Sequence, residues 1–271
     1  MRHKTMNGLL ALALAVPAAA AGQEREDLLS MTESAAAAAL MADRDSPDIW
    51  RAIGLAVDLG PRAGQELRAA VIDAAWAEVR REAAARAGVG PAGGDPDRLF
   101  LLFEAAEAFR DPRAIPLMVE ALKYGGGVMD ALADLGAAAF PATLAAVSDP
   151  GGHPHRVSGG VTVLRFMVED GVLNGRQLEQ VRDAARERLS GTQDPFILRA
   201  AVRLALALGE TELRRTVERI AADRVFAEAL VLDAFPLIPG SHAEDTDNVQ
   251  EYARLFLSGG GAGIGPIRKR Q

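Results

Sequence analysis

One structural phrase occurs twice between Asp111 and Asp149, and it limits the possible folds of this chain more than any other feature. Residues 113–122 read RAIPLMVEAL, and residues 138–147 read AAFPATLAAV. The copies share a proline and the spacing of apolar residues. The matching pairs are Ala114 with Ala139, Ile115 with Phe140, Pro116 with Pro141, Val119 with Leu144, and Leu122 with Val147. A helical segment that recurs after a short interval predicts an array of helical repeats.

The first copy carries clear helix signals. Asp111 before Pro112 predicts a helix start, because Asp accepts hydrogen bonds from free backbone N–H groups and proline loses none at the first helical position. Ile115 and Leu122 then lie on one face of the helix. Pro116 follows the first turn, so it predicts a bend there.

A second helical pattern separates the two copies. The glycines at 125–127 predict a hinge, and residues 128–136, VMDALADLG, predict a helix that ends at Gly136. Glycine readily adopts the positive φ that often terminates a helix. The order of helix, hinge, helix and repeated helix therefore predicts antiparallel helix pairs.

The phrase DPRAIP at 111–116, followed by VEAL and by ALADLG at 131–136, resembles the HEAT-like repeats of bacterial proteins, including the class named after phycobilisome lyases. The resemblance is clear over 111–136, fair over 137–171, and limited to the helical pattern elsewhere. It implies an all-α fold, an α-solenoid of stacked antiparallel helix pairs. Such repeats occur in adaptors, lyase subunits and DNA-repair proteins, so the resemblance implies no single function.

The helical spacing continues on both sides of the two copies. Further helices are predicted over 24–41, 46–59, 66–87, 95–109, 157–168, 178–189, 194–208, 213–220, 226–235 and 247–257. Gly159 and Gly160 predict a late start for the helix over 157–168. Closing glycines fall at 60, 136, 171 and 209, and the last two intervals, 35 and 38 residues, fit a two-helix repeat. No alternating segment of convincing length predicts a strand.

The two ends of the chain differ from its middle. Residues 1–21 combine a basic start, a short apolar run and small residues at Ala-x-Ala spacing, which predicts a secretory signal peptide and a periplasmic or secreted protein. The apolar run is too short to serve comfortably as a membrane anchor. Residues 24–257 form the predicted solenoid, with the Gly- and Pro-rich stretch 88–94 as its candidate break. Residues 258–271 predict a disordered tail with a basic end.

Composition excludes several classes of function. The chain has no cysteine, which excludes disulfides, thiol chemistry and Cys-based zinc sites. Its formal net charge is -7, which argues against a nucleic-acid partner. No segment after the signal is a continuous apolar span, so no stable membrane insertion is predicted. Hydrophobic residues make up 49% but aromatic residues only 5%, which favours close-packed helices of small residues over a β-rich core.

The four histidines offer little for metal chemistry. His153 and His155 are the only close pair, and His242 lies far along the chain. A zinc site normally needs three or four ligands. We therefore interpret His153 and His155 as residues of an exposed loop between helices. Asp245 and Asp247 lack the glycine and the later glutamate of a calcium loop, and Asp247 or the neighbouring threonine is expected to cap the last helix.

Other chemical signatures are also missing. The sequence contains no Gly-x-Ser-x-Gly motif, and its glycine run is followed by neither Lys nor Ser or Thr, as a phosphate-binding loop requires. Residues 176–219 contain nine arginines and seven acids, a balance typical of solvated helix faces with i, i+4 pairs. No catalytic, cofactor-binding or metal-binding residue is therefore predicted, and no cofactor is expected.

The sequence favours an exported, non-catalytic helical-repeat protein that acts as a protein–protein interaction scaffold or adaptor. The alternative is a metal-binding protein or metal-assisted enzyme that uses the His153/His155 loop, with His242 and nearby acids. A third possibility is a structural component of a larger exported assembly, which would associate permanently with its neighbours. The identity of the protein partner cannot be read from these residues.

Overall fold

The structure is a computed structural model that describes residues 31–42, 46–89, 95–125, 127–233, 238 and 240–259. Within these residues the chain is all-α, and its one extended pairing is an isolated parallel bridge between Gln193 and Val231. The predicted all-α class is confirmed. The predicted signal peptide, residues 90–94 of the predicted break and residues 260–271 of the predicted tail lie outside the described residues.

Thirteen α-helices are found in the described part of the chain. The first seven are α1 (Glu33–Met41), α2 (Asp48–Leu59), α3 (Gln65–Arg86), α4 (Pro96–Phe109), α5 (Ile115–Ala121), α6 (Val128–Asp134) and α7 (Phe140–Ser148). The others are α8 (Pro154–Glu169), α9 (Gly175–Ser190), α10 (Pro195–Leu208), α11 (Thr211–Ala222), α12 (Arg224–Leu230) and α13 (Ser241–Leu257). Short 3-10 turns lie at Gly60–Arg62, Pro112–Ala114, Leu122–Tyr124 and Gly136–Ala138.

Most of the predicted helix ends are confirmed. Asp95, Asp111 and Asp194 each precede a proline, and each carboxylate accepts a hydrogen bond from the backbone N–H two residues later, at 3.1, 2.9 and 2.8 Å. These bonds satisfy donors that no helical carbonyl reaches. The predicted closing glycines at 60, 136, 171 and 209 all have positive φ, between 49° and 69°.

The two copies have the same local structure. In each, a 3-10 turn leads into an α-helix: Pro112–Ala114 precedes α5, and Gly136–Ala138 precedes α7. Pro116 and Pro141 lie in the first turn of α5 and α7, where a missing N–H costs no helical bond. Pro116 was predicted to follow the first turn, but it lies inside that turn, directly after the change from 3-10 to α-helix.

Helices contact their second neighbours along the chain as well as the next helix. One series of such contacts joins α2 to α4, α4 to α6, α6 to α8 and α8 to α10. A second series joins α1 to α3, α3 to α5, α5 to α7, α7 to α9 and α9 to α11. The buried residues between them form one continuous core that is rich in alanine, valine and leucine.

Helix α8 begins earlier than the sequence predicted. It starts at Pro154, and Gly159 and Gly160 lie well inside it. A Cβ on Gly159 would lie 3.1 Å from Cδ2 of Leu122, and a Cβ on Gly160 would lie 2.9 Å from Cγ2 of Val147. The glycines thus permit close helix packing, which offsets their cost of about 1 kcal/mol each in helix propensity.

Helix α12 ends earlier than predicted, at Leu230 rather than 235. The backbone N–H of Gln193 donates to the carbonyl of Leu230, and the N–H of Leu232 donates to the carbonyl of Gln193, both at 2.7 Å. This bridge draws the chain into an extended conformation directly after α12. Residue 235, the predicted last apolar position, lies outside the described residues.

The last helix begins at Ser241, six residues before the predicted start at Asp247. The predicted cap by Thr246 or Asp247 is wrong, because both residues lie inside α13. The Thr246 hydroxyl donates to the His242 carbonyl at 2.8 Å, and the Asp247 carboxylate pairs with Arg224 at 2.6 Å. Gly240, with a φ of 85°, precedes the helix instead.

Candidate functional site

An open groove crosses α3, α5 and α7, which belong to one series of second-neighbour contacts. Its volume is about 480 Å³. The floor is apolar and consists of Trp76 from α3, Pro116 and Val119 from α5, and Ala142, Ala145 and Ala146 from α7. The alanines set the surface of α7 back, because a methyl group extends little beyond the backbone. Trp76, which is only partly buried, is the largest apolar side chain of this floor.

The charged residues beside this groove neutralise one another. The Arg156 guanidinium pairs with the Asp149 carboxylate and, at 3.3 Å, with Oε2 of Glu120. Nζ of Lys123 pairs with Oε1 of Glu120 at 2.5 Å. Two cations therefore face two carboxylates. A ligand in the groove meets apolar surface and paired charges rather than an uncompensated charge.

A smaller groove, of about 320 Å³, lies between the 3-10 turn Leu122–Tyr124 and the first turns of α8. Its hydroxyl groups serve the helix itself. Ser158 donates to the carbonyl of His155 at 3.2 Å, and Thr162 donates to the carbonyl of Ser158 at 3.0 Å. No base activates either hydroxyl among these contacts, so this groove contains no assembled nucleophile.

The structure brings His153 and His155 together at the start of α8. Their ring centroids are 5.5 Å apart, and Nδ1 of His153 accepts the backbone N–H of His155 at 3.3 Å. The His155 ring also lies 4.8 Å from the Phe196 ring. Burial lowers the pKa of His153, and the neighbouring His155 and Lys123 lower it further.

His242 is engaged elsewhere, since its Nε2 lies 3.0 Å from the carbonyl oxygen of Val231. The described residues contain no group of three or more His, Cys, Asp or Glu side chains that could hold a metal ion. A metal site at the His153/His155 pair would thus have two protein ligands, whereas protein zinc sites normally have three or four.

A third cavity, of about 400 Å³, lies between the end of α3 and the start of α4. Glu78 on its wall is fully buried, and its Oε1 pairs with Arg81 at 2.6 Å and with Nε of Arg98 at 3.3 Å. The sequence did not reveal this buried ion pair, because Glu78 continues a helical face whose other members are apolar. Phe100 contributes an exposed ring.

One partly buried carboxyl group on α4, that of Glu107, has a strongly raised pKa. Burial, together with the nearby carboxylates of Glu104 and Asp130, raises the pKa of Glu107 to about 7. Its carboxylate lies against the backbone of Gly127, where a Cβ would be 2.7 Å from Oε2. A carboxyl group with this pKa can exchange a proton at neutral pH, but nothing described beside it supplies a reacting partner.

The arginine-rich region 176–219 forms the predicted surface pairs. Arg182 pairs with Glu179 at 2.5 Å, Arg186 with Asp183 at 2.9 Å, and Arg214 with Glu218 at 3.1 Å. Glu210 adds a contact between elements, because it pairs with both Arg182 and Arg186 of α9. Within the described residues, four of the nine arginines of this region, Arg182, Arg186, Arg214 and Arg219, therefore pair with carboxylates.

Comparison with known proteins adds no relative. No protein-family model, curated protein or solved structure matches the chain. Among the helices that the structure describes, none has the length and apolar character needed to cross a membrane.

Proposed function

We propose that this chain is an exported, non-catalytic helical-repeat protein that binds another protein through the groove across α3, α5 and α7. The observation that carries the proposal is the apolar floor of this groove, which includes Trp76 and consists of side chains from three helices. Tryptophan is enriched among the residues that contribute most to protein–protein binding. An apolar centre with a polar rim is the usual composition of such interfaces.

The proposal includes the arrangement of the helices as an α-solenoid of HEAT-like antiparallel pairs. It is supported by the two series of second-neighbour contacts and by the shared local structure of the two copies. In such a stack each unit contacts only its neighbours, so one row of helices presents an extended surface. The groove crosses three successive helices of one row.

The charges around the groove favour a protein partner over a charged small molecule. Arg156 and Lys123 are already paired with Asp149 and Glu120. An apolar side chain of a partner would bury the floor without competing for these pairs, at about 25 cal/mol for each Å² of apolar surface removed from water. The export signal predicted in residues 1–21 places the expected partner outside the cytoplasm.

The experiment is a pull-down with the tagged mature chain, residues 22–271, against the exported fraction of its own organism. We expect a stoichiometric protein that survives moderate salt. Trp76→Ala should reduce its recovery about tenfold or more, since tryptophan anchors at interface centres contribute about 2 kcal/mol or more. Trp50→Ala is the matched control, because Trp50 is exposed on α2, outside the groove.

Two outcomes would contradict the proposal. One is a folded, helical sample that retains no exported protein. The other is equal loss of the partner in Trp50→Ala and Trp76→Ala. The metal-binding alternative has the close rings of His153 and His155 in its support, and it predicts bound zinc that His155→Ala removes.

A further inference from the structure

Three helices bring a set of hydrogen-bond donors together away from the groove. Arg165 is on α8, Arg203 on α10 and Tyr252 on α13. The Arg203 guanidinium lies 4.8 Å from the centroid of the Phe256 ring, and the rings of Phe256 and Tyr252 are 4.7 Å apart. Arg165 is close enough to both Arg203 and Tyr252 to interact with them electrostatically. These four side chains form one continuous cluster, the α8–α10–α13 cluster.

One buried donor of this cluster lacks an acceptor. Arg165 is 5% exposed, and its buried Nη2 has no hydrogen-bond partner. Its Nη1 pairs with the carboxylate of Glu169, at 2.7 and 2.9 Å from the two oxygens. Arg203 and Tyr252 are partly exposed, and within the described part of the chain no hydrogen bond joins the Arg203 guanidinium or the Tyr252 hydroxyl to the protein. A buried donor without an acceptor costs about 1–3 kcal/mol, and a native fold rarely keeps one without a use.

The excess of positive charge in the cluster also favours an added anion. The cluster has two guanidinium groups, and Glu169 is their one carboxylate partner within the described residues. Arg203 makes no ion pair there. Burial lowers the pKa of Arg165, and the charge of Arg203 lowers it further, so the two cations oppose each other. An added anion would relieve this repulsion, and its oxygen atoms would accept hydrogen bonds from the free N–H and O–H groups.

We propose that Arg165, Arg203 and Tyr252 form a binding site for one oxyanion, a carboxylate or a phosphate group. Guanidinium groups bind such oxyanions through paired N–H donors, and a tyrosine hydroxyl adds a further donor. The Phe256 ring packs against the Arg203 guanidinium, and the Tyr252 ring packs against Phe256. The site shares α8 with the groove, because Arg156 beside the groove is on that helix, but Arg165, Arg203 and Tyr252 do not line the groove. It therefore concerns a second ligand rather than the proposed protein partner.

Arg199 provides a comparison for Arg203, because it has a similar ring contact outside the α8–α10–α13 cluster. Arg199 lies one helical turn before Arg203 on α10, 4.8 Å from the centroid of the Phe196 ring, and it makes no ion pair among the described residues. Its Nε donates to the backbone carbonyl of Pro195 at 3.3 Å. Arg199 thus shares the stacked geometry of Arg203, but its ring partner is Phe196 rather than the Phe256 of the cluster.

The test is a calorimetric titration of the full chain at about pH 7, where phosphate and carboxylates are charged, with constant ionic strength maintained by sodium chloride. One arm uses inorganic phosphate and the other acetate. We expect saturable binding of one anion per chain in at least one arm, and the arm with the tighter binding identifies the preferred oxyanion.

The variants separate the site from general charge effects. Tyr252→Phe keeps the ring contact and removes only the hydroxyl, so binding should weaken about tenfold, the effect of one hydrogen bond to a charged group. Arg203→Gln should abolish saturable binding. Arg199→Gln, the matched control, should change the affinity less than about twofold because that arginine is outside the cluster.

The proposal is overturned if neither anion gives a saturable signal above that of chloride. It is also overturned if Arg199→Gln and Arg203→Gln weaken binding equally, since the anion would then respond only to surface charge. Circular dichroism of each variant establishes that the helices are intact. Tyr252→Phe keeps the test decisive if Arg203→Gln fails to fold.

Discussion

The two copies, 111–122 and 136–147, reach the same local structure from different starting residues. Both run from a 3-10 turn into an α-helix that contains a proline in its first turn. The first copy starts with Asp111, whose carboxylate accepts the N–H of Arg113 and pairs with Arg68 at 3.5 Å. The second starts with Gly136, which has a φ of 51° and no capping side chain.

The difference shows that this element requires a backbone geometry rather than a particular residue. A side-chain acceptor satisfies the free N–H groups at the first start. At the second, a positive φ that glycine tolerates redirects the chain directly from α6 into the 3-10 turn. The ends of the copies remain equivalent, because Leu122 and Val147 pack on the adjacent residues Gly159 and Gly160 of α8.

The largest effect is expected at the start of the first copy. Asp111→Ala removes the capping acceptor and the partner of two arginines, so the free energy of unfolding should fall by about 2 kcal/mol. Chemical denaturation at neutral pH measures this loss. Asp183→Ala is the control, because Asp183 pairs with Arg186 on an exposed helix face and should cost less than about 0.5 kcal/mol.

Acid should reduce the difference in unfolding free energy between the wild-type protein and Asp111→Ala. Hydrogen bonds from Arg113 hold the pKa of Asp111 at about 2, below its ordinary value of 3.8, although burial opposes the shift. A lowered folded-state pKa stabilises the protein above pH 3.8, and that stabilisation disappears as the pH falls through about 2. The gap between the wild-type protein and Asp111→Ala should therefore narrow over this range. A constant gap would show that the charge of Asp111 is not what stabilises the turn.

A smaller effect is expected at the start of the second copy. Gly136→Ala places a side chain at a φ of 51°, which should cost about 1 kcal/mol of unfolding free energy. The added Cβ would lie 3.7 Å from Val172, an ordinary contact, so the loss should come from the backbone. Gly171→Ala tests this cause: its φ is 66° and no atom would lie within 4 Å, so its loss should be similar. An unchanged stability in both variants would contradict the prediction.

The smallest effect is expected where α8 meets the end of the second copy. Gly160→Ala gains helix propensity, but its Cβ would overlap Cγ2 of Val147 at 2.9 Å, so a net loss of about 0.5 kcal/mol is expected. Gly175→Ala on α9 has no atom within 4 Å and should be neutral or stabilising. Adding Val147→Ala to Gly160→Ala should reveal favourable coupling in a double-mutant cycle. Equal effects of the two glycine variants would exclude the packing explanation.

Sequence reasoning found the helices whose ends have local signals. The Asp-Pro starts and the closing glycines act within a few residues, so one segment suffices to predict them. The failures occurred where distant contacts decide the structure. Gly159 and Gly160 are poor helix formers that the packing of Leu122 and Val147 retains. The early end of α12 depends on a bridge to residue 193.

The candidate sites were less predictable than the fold. The groove combines a tryptophan, a proline and alanines from three helices, and these residues share no motif that a single segment could reveal. The α8–α10–α13 cluster has the same character, because Arg165, Arg203 and Tyr252 are far apart in the chain. The sequence predicted the surface pairs of the arginine-rich region. It gave no signal that Arg165 and Arg203 would lie close enough to interact electrostatically.

The bridge between Gln193 and Val231 has a consequence for how the C-terminal part opens. Two backbone hydrogen bonds of 2.7 Å join the segment before α10 to the segment after α12. The amide hydrogens of Gln193 and Leu232 can exchange with solvent only when the two segments separate from each other. The intervening helices should therefore open as one cooperative unit, and the amides of residues 193 and 232 should exchange with deuterium at matching rates.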